Sequence, residues 1–529
     1  MISSDERPIS RDQSHLAGEL QARLKADDQN DERHSESLAM TTQPETWKRV
    51  TLGSGEASRW WLFSLLIVLL KMFLLALDPL PKMFMGDSAC YIATALVGWI
   101  PDDRSYFYGF LIRWVALSTE SLTPLLLLQS FVSALTALLL AHICRSIFGL
   151  SMRSACILGL LCALDPFQLV WERYVMTETV SLFFYVAGLY YSFLYMKQRR
   201  IRHLVIAQGI WVLLIGFRMS YLLVVQISAV LLPILALYPV VSAKWRDSRG
   251  QGKRFQTVKF ASAHFVTSIA AMLLMHGAYK QVNGLLTERE PAYLYATGLH
   301  LLAFWAPVLV PADATDERLA QIIAEGDEFD IKELTSRNCQ RFEKDYLVDR
   351  WQEEEPDWEL GSEIAKETAL RALRRNPWQV LGLAAQTFAQ YWNLRDLRYY
   401  ATIDLGHNDL TEEQNDLLAE HFHFATDGRI IGAPPTLLQR YFLLAWPYCY
   451  FLLLSPILGA WAVYLTREKQ LALFLLLHLA IILGVTFTFA VAPSFRYLQP
   501  ASVLAFLLVA LCLRGAREQP IPGGAGTNR

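Results

Sequence analysis

The sequence predicts an all-α polytopic membrane protein of about ten transmembrane helices, with interfacial helices in the first outer loop and a mainly helical outer domain before the last three spans. Three observations carry this prediction. Of 529 residues, 53% are hydrophobic and 12% aromatic, and the mean hydropathy is positive, which is too apolar for a soluble multidomain chain and too long for a single anchor. Apolar runs of bilayer length recur along the chain. Lysine and arginine gather in the short turns between alternate runs, so the net charge of -2 conceals a strong segregation by region. The seven cysteines are scattered with no CxxC pair, which indicates neither a disulfide framework nor a zinc site.

Residues 1–58 are polar, without an apolar run or cleavage site, and read as a disordered cytoplasmic tail. The N-terminal membrane module, 59–279, opens with Trp60 to Leu77, whose inner end is held by Lys48, Arg49 and Arg59. Lys71 lies near the outer end of this span and is expected to snorkel. The outer loop 78–121 follows, with Ala89 to Ile100 and Ser105 to Leu117 as interfacial helices. It contains Met85-Gly86-Asp87-Ser88-Ala89-Cys90-Tyr91, which puts a carboxylate where membrane meets water. Asp87 can take a proton from a hydroxyl while a lipid-borne partner reaches it from the bilayer. Asp87 or Ser88 also suits the N-cap of the helix that follows, so a capping role stays open.

Spans at Pro124 to Ile143 and Ser154 to Val170 come next, separated by Arg145 and Arg153, and the second of them ends at Asp165-Pro166. Glu172 and Arg173 precede Met176-Thr177-Glu178-Thr179, at the outer mouth of a fourth span running to Met196. Lys197, Arg199, Arg200 and Arg202 then mark the inside. The stretch His203 to Val241 is broken at Gly216-Phe217-Arg218-Met219-Ser220 and reads as two helices with an outer hairpin. The basic group Lys244, Arg246, Arg249, Lys253, Arg254 and Lys259 reads as a cytoplasmic turn rather than a nucleic-acid site, because spans bracket it.

A seventh span, Phe260 to Tyr279, leads to the outer segment 280–439. Its apolar start, Tyr293 to Val310, reads as an interfacial or re-entrant piece. Acidic residues Glu353 to Glu359 mark a solvated domain. Asn376-Pro377 starts a helix with its cap and first-turn proline, Trp378 to Trp392 is apolar enough to lie on the membrane, and Thr411-Glu412-Glu413-Gln414 is a capping box. His421 and His423 alternate as on one strand face, without a third ligand nearby. The C-terminal membrane helices, 440–514, hold spans at Tyr441 to Leu465, Leu471 to Val491 and Ala501 to Leu513, followed by a cytoplasmic tail, 515–529. The last outer hairpin is Ala492 to Pro500. No GxGxxG follows a strand and no GKS or GKT loop occurs, which argues against a nucleotide-powered pump.

This topology puts Asp87, Arg104, Glu172, Glu178, Arg218 and Arg496 on one face, from several outer loops. Carboxylates and arginines at a water–lipid boundary suit an anionic lipid headgroup, since the guanidinium fork matches phosphate. Four passages then resemble the GT-C membrane glycosyltransferases, which include protein O-mannosyltransferases and lipid A aminoarabinose transferases, over roughly Trp60 to Arg514. They are Gly86-Asp87-Ser88 with Tyr91; Arg104 with Tyr106 and Tyr108; Pro166 followed by Met176-Thr177-Glu178; and Arg496-Tyr497 before Pro500.

The resemblance implies inverting transfer of a sugar from a polyprenyl phosphate donor to a glycan, lipid or protein acceptor, at the periplasmic face of a bacterial inner membrane. Asp87 would be the general base and Glu178 the second acid, with Arg104, Arg218, Arg496, Tyr91, Tyr497 and Glu172 binding substrate. It calls for no cofactor and no nucleic acid. Ser88 stands where many members carry a second acid, which leaves a divalent metal open. A lipid-linked-sugar transporter or flippase is the alternative, and a non-catalytic export subunit a third.

Overall fold

A computed structural model describes residues 54–247, 251–405, 411–424 and 435–518. Most of the N-terminal tail, Arg249 of the basic turn, and the last part of the C-terminal tail lie outside these residues. The chain divides into two compact units, Met1–Trp61 and Leu62–Arg529. Of the first, the described part is the opening of helix α1 (Ser54–Leu77). The second holds everything discussed below.

Helices make up 81% of the described residues, among which no strand forms, only an isolated parallel bridge between Lys82 and Tyr174. After α1 come α2 (Met85–Val97), α3 (Phe107–Val115), α4 (Thr123–His142), α5 (Met152–Ala163), α6 (Pro166–Trp171), α7 (Glu178–Gln198), α8 (Ile201–Phe217), α9 (Leu222–Asp247) and α10 (Gln251–Thr287). Eight of the described helices are long and apolar enough to cross a membrane, five of them in this half and three at the C-terminal end. The protein is therefore a multi-pass membrane protein.

Two expected spans form helices too short to count among those eight. Helix α8 has 17 residues, about 25 Å at 1.5 Å per residue. The third expected span is not continuous: α5 stops at Ala163, and Asp165 caps α6, accepting from Phe167 N–H at 2.8 Å and Gln168 N–H at 3.3 Å. Proline at the first position of α6 has no N–H to lose there. Tyr448 and Ser502 also donate to the Asp165 carboxylate, which fixes this break against the C-terminal helices.

Lys71 does not snorkel. It is fully buried and ion-paired with Glu172, itself fully buried. Ser133 donates to the same carboxylate at 2.6 Å and Arg173 reaches its other oxygen at 3.4 Å. In the dry interior a paired carboxylate costs far less than a lone cation, so the lysine turns inward. The pair anchors the segment leading to Glu178. Gln129 of α4 donates to the carbonyls of Glu172 and Tyr174 at 3.1 and 3.0 Å, and Tyr108 of α3 donates to Gln129 at 2.5 Å.

The segment 280–439 contains α11 (Thr297–Phe304), α12 (Glu317–Ala324), α13 (Cys339–Phe342), α14 (Leu347–Glu354), α15 (Trp358–Arg375), α16 (Pro377–Gln390), α17 (Leu394–Asp404), α18 (Glu412–Phe422) and the first residues of α19 (Leu437–Leu443). Its apolar start is not a re-entrant piece. Leu299, Leu302, Ala303 and Leu309 form a core with Leu319, Val348, Trp351 and Ala365, because the amphipathic helices that cover them come later in the chain. Asn376 caps α16 and Thr411 opens α18 with a reciprocal capping box. His421 and His423 lie on no strand: His421 is in the last turn of α18 and His423 ends it in the left-handed conformation at φ 51°, beside Glu120 at 3.2 Å. Three helices close the described chain, α20 (Trp446–Leu465), α21 (Lys469–Phe489) and α22 (Gln499–Glu518).

Candidate functional site

Helix α2 begins earlier than its sequence suggests, and this decides what Asp87 does. The N-cap is Phe84, whose backbone N–H is taken by the Ser88 hydroxyl at 2.8 Å; that hydroxyl donates in turn to Val175 O at 3.0 Å. Asp87 is in the first helical turn and is not a cap. A negative charge there still gains from the exposed N–H groups of the turn, and the carboxylate is left to side-chain partners. Helices α2 and α3 meet tightly, since a Cβ on Gly109 would overlap Thr94. Their buried faces share a core with Val175, Val180, Leu418 and Phe422, so α18 helps to hold the pair.

Six charged residues from four parts of the chain are joined in one chain of ion pairs. Arg104 reaches Asp87 Oδ1 with Nη1 at 2.5 Å and grips Asp103 with Nε and Nη2 at 2.9 and 2.7 Å. Arg496 contacts Asp87 Oδ2 through Nη1 at 2.7 Å and Glu178 through Nε. Arg218 stands 3.5 Å from the same Glu178 oxygen and 3.5 Å from Gln499. Glu178 has no exposed surface, whereas Asp87 keeps 22% and Arg104 15%. The cluster therefore has a closed floor at Glu178 and a rim open at Asp87. The guanidiniums also lie over rings, Arg104 at 5.8 Å from the Tyr91 centroid and Arg496 at 5.0 Å from that of Phe84. Tyr497 follows Arg496 in the same short 3-10 turn.

Burial pushes the Asp87 carboxyl up, but the Arg104 and Arg496 guanidiniums and their hydrogen bonds override it and hold it well below the usual carboxylate range. Burial likewise opposes charge on Arg104, and the Asp87 and Asp103 carboxylates outweigh it, raising that guanidinium further. Asp87 is thus firmly ionised and, while both arginines hold it, weakly basic.

Of the residues nominated from sequence, Asp87, Arg104, Glu178, Arg218 and Arg496 come together, with Tyr91 and Tyr497 beside them. Glu172 does not join them; its carboxylate belongs to Lys71, Ser133 and Arg173. Four participants were missed. Asp103 is the second anchor of Arg104, legible in hindsight from the acidic pair preceding that arginine. Asp404, at the end of α17, accepts from Ser494 Oγ at 2.7 Å and Phe495 N–H at 2.6 Å. Arg341 of α13 donates to His300 of α11 at 3.1 Å and acts electrostatically on Asp103 and Arg104. No local pattern in the sequence marks Asp404, Arg341 or His300.

No known protein family, curated protein or solved structure matches this chain. The reading of the site therefore rests on its own chemistry: two carboxylates on a common arginine, at one end of a membrane bundle, with a polar rim.

Proposed function

We propose that the protein is a GT-C-type membrane glycosyltransferase, transferring a sugar with inversion from a polyprenyl phosphate donor to an acceptor hydroxyl or amide at the outer, periplasmic face of a bacterial inner membrane. The observation that supports it most is Arg496, which ties Asp87 to Glu178 across 91 and 318–409 residues of separation in the chain. Such long-range convergence of ionisable groups next to apolar spans suits chemistry on a lipid-borne anion. In this reading the short helices α5 and α8 complete ten spans, and the basic turns fall on the opposite face.

In the transfer step the acceptor O–H or N–H gives its proton to Asp87, its electron pair forms the new bond to the anomeric carbon, and the bond from that carbon to the phosphate oxygen breaks. The polyprenyl phosphate leaves with the electron pair. Attack opposite the leaving group inverts the centre. A carboxylate held by two guanidiniums is a poor base, so donor binding has a second effect. A phosphate that draws Arg104 toward itself relieves Asp87 of positive charge and raises its basicity. Glu178, at the closed floor, keeps Arg496 in place while this happens.

The test is purified protein in detergent with a radiolabelled polyprenyl phosphate sugar and cell-derived acceptor extract, scoring donor binding and glycosylated product separately. Product with wild type supports the assignment. Wild-type protein that makes no product, yet speeds exchange of the lipid between vesicle leaflets, would replace it with a flippase.

A further inference from the structure

The three arginines nominated for the donor phosphate are already engaged. Arg104 is shared by Asp87 and Asp103, Arg496 by Asp87 and Glu178, and Arg218 faces Glu178. Three guanidiniums against three carboxylates leave the cluster electrically balanced, with no charge in surplus for an anion. Arg341 breaks the balance. It is partly buried, sits near enough to Asp103, Arg104 and Cys90 to act on each, and among the described residues has no carboxylate within ion-pair distance. Its hydrogen-bond partner is His300, which burial and Arg341 itself push down to about 4, so the imidazole is neutral near pH 7 and accepts without cancelling charge. The next carboxylate outward, Asp102, is held by Arg289.

Building on the transferase reading, we infer that Arg341 is the donor-phosphate contact of this site, supplying from the segment 280–439 a positive charge that has no ion-pair partner among the described residues and that a phosphodiester headgroup matches. Desolvation lowers the affinity of this guanidinium for its proton, which is the condition an arriving anion relieves. The match also has a direction. A phosphodiester carries one negative charge, and the departing phosphate monoester carries about 1.5 to 2 at neutral pH, so attraction to Arg341 grows as the bond to the sugar breaks. A contact that strengthens along the reaction accelerates it. Arg104, near Arg341, can then turn toward the same phosphate and release Asp87, and α13 becomes part of the site rather than an appendage.

The experiment compares binding of a polyprenyl phosphate, of the polyprenol of equal length, and of inorganic phosphate to purified wild type, Arg341→Gln and Arg341→Lys, with thermal melting as a check on folding. Wild type is expected to prefer polyprenyl phosphate over polyprenol. Arg341→Gln should lose roughly tenfold to a hundredfold in phosphate-lipid affinity with polyprenol binding unchanged, the size of a charge-assisted contact. Arg341→Lys, which keeps the charge without the fork, should recover part of the loss. Full phosphate preference in Arg341→Gln overturns this assignment and leaves the transferase reading standing. Absence of any preference in wild type overturns both. Displacement of the lipid by inorganic phosphate at equal concentration would mean a free-phosphate site and also overturns the assignment.

Discussion

Asp404 accepts the backbone N–H of Phe495 at 2.6 Å, one residue before the guanidinium that links Asp87 to Glu178. Its other oxygen takes the hydroxyl of Ser494, which itself accepts from Arg496 N–H at 3.1 Å. The end of α17 thus fixes the turn carrying Arg496. The segment 280–439 supports the cluster at three points: α18 under α2 and α3, α13 beside Arg104, and α17 behind Arg496.

This carboxyl gives a pH dependence with a definite sign. Burial raises Asp404 to about 7, with the hydrogen bonds from Ser494 and Phe495 and the nearby Arg496 pulling it only partly back. An unfolded aspartate titrates near 3.9. Between about pH 4 and 7 the folded state therefore holds a proton that the unfolded state has released, and stability falls as pH rises through that window. Asp404→Asn should flatten this part of the profile. The check is thermal unfolding in detergent across the window; an identical slope in both proteins would remove Asp404 as its source.

Asp87→Asn should fold and still bind donor, while transfer falls by roughly a hundredfold to ten-thousandfold, the range for loss of a general base. Because Asp87 is not the helix cap, the amide's ability to cap is irrelevant. Turnover near wild type would show that the proton goes elsewhere.

The residues legible in the sequence are those whose meaning is set by position along the chain. Asp87, Arg104, Glu178, Arg218 and Arg496 each flank an apolar run, and a topology count places them together. What escaped is set by contacts across the chain. Lys71 read as a snorkelling cation because hydropathy carries no trace of Glu172, its partner 101 residues on. Tyr293 to Val310 read as membrane-seeking because the amphipathic helices that cover it follow it. The Asp165-Pro166 signal was visible, but its ties to Tyr448 and Ser502 were not, so a broken helix read as one span.

The buried pair predicts a stability effect separable from catalysis. Lys71→Met removes the nearest partner of Glu172 and leaves the carboxylate to Ser133 and to Arg173 at 3.4 Å, so it should cost less than the about 3–5 kcal/mol of a fully broken buried pair. Adding Glu172→Gln should deepen the loss, since buried Arg173 then has no carboxylate within ion-pair distance among the described residues. Melting temperatures of the two singles and the double measure the coupling. Equal loss in Lys71→Met with and without Glu172→Gln would mean the lysine acts by packing alone.

Sidedness is open to a direct measurement. In a background with the seven native cysteines replaced, Glu413→Cys at the start of α18 should react with an impermeant thiol reagent added outside intact cells. Arg467→Cys, exposed in the turn between α20 and α21, should react only after permeabilisation. The reverse pattern would invert the orientation and place the Asp87 cluster inside.

Arg496 and Arg218 both meet Glu178, yet their variants should differ. Arg496 uses two separate nitrogens on two carboxylates, Nη1 on Asp87 and Nε on Glu178, while Arg218 touches the same Glu178 oxygen only at 3.5 Å. Lysine has one ammonium and cannot span both acids in the fork's geometry. In Arg496→Lys, either Asp87 is released from a guanidinium or Glu178 is left to Arg218 alone, at 3.5 Å and full burial, where its second oxygen already has no hydrogen-bond partner. The second outcome is the costlier, so the ammonium should stay with Glu178. Asp87 then keeps Arg104 alone and becomes more basic, and the pH optimum of transfer should move upward while the maximal rate falls because the acids are no longer held in register. Arg218→Lys should leave the pH profile in place and change the rate by less than tenfold. The comparison requires full pH–rate curves for both variants. Equal shifts in the two, or none in Arg496→Lys, would mean that Arg496 does not control the protonation of Asp87.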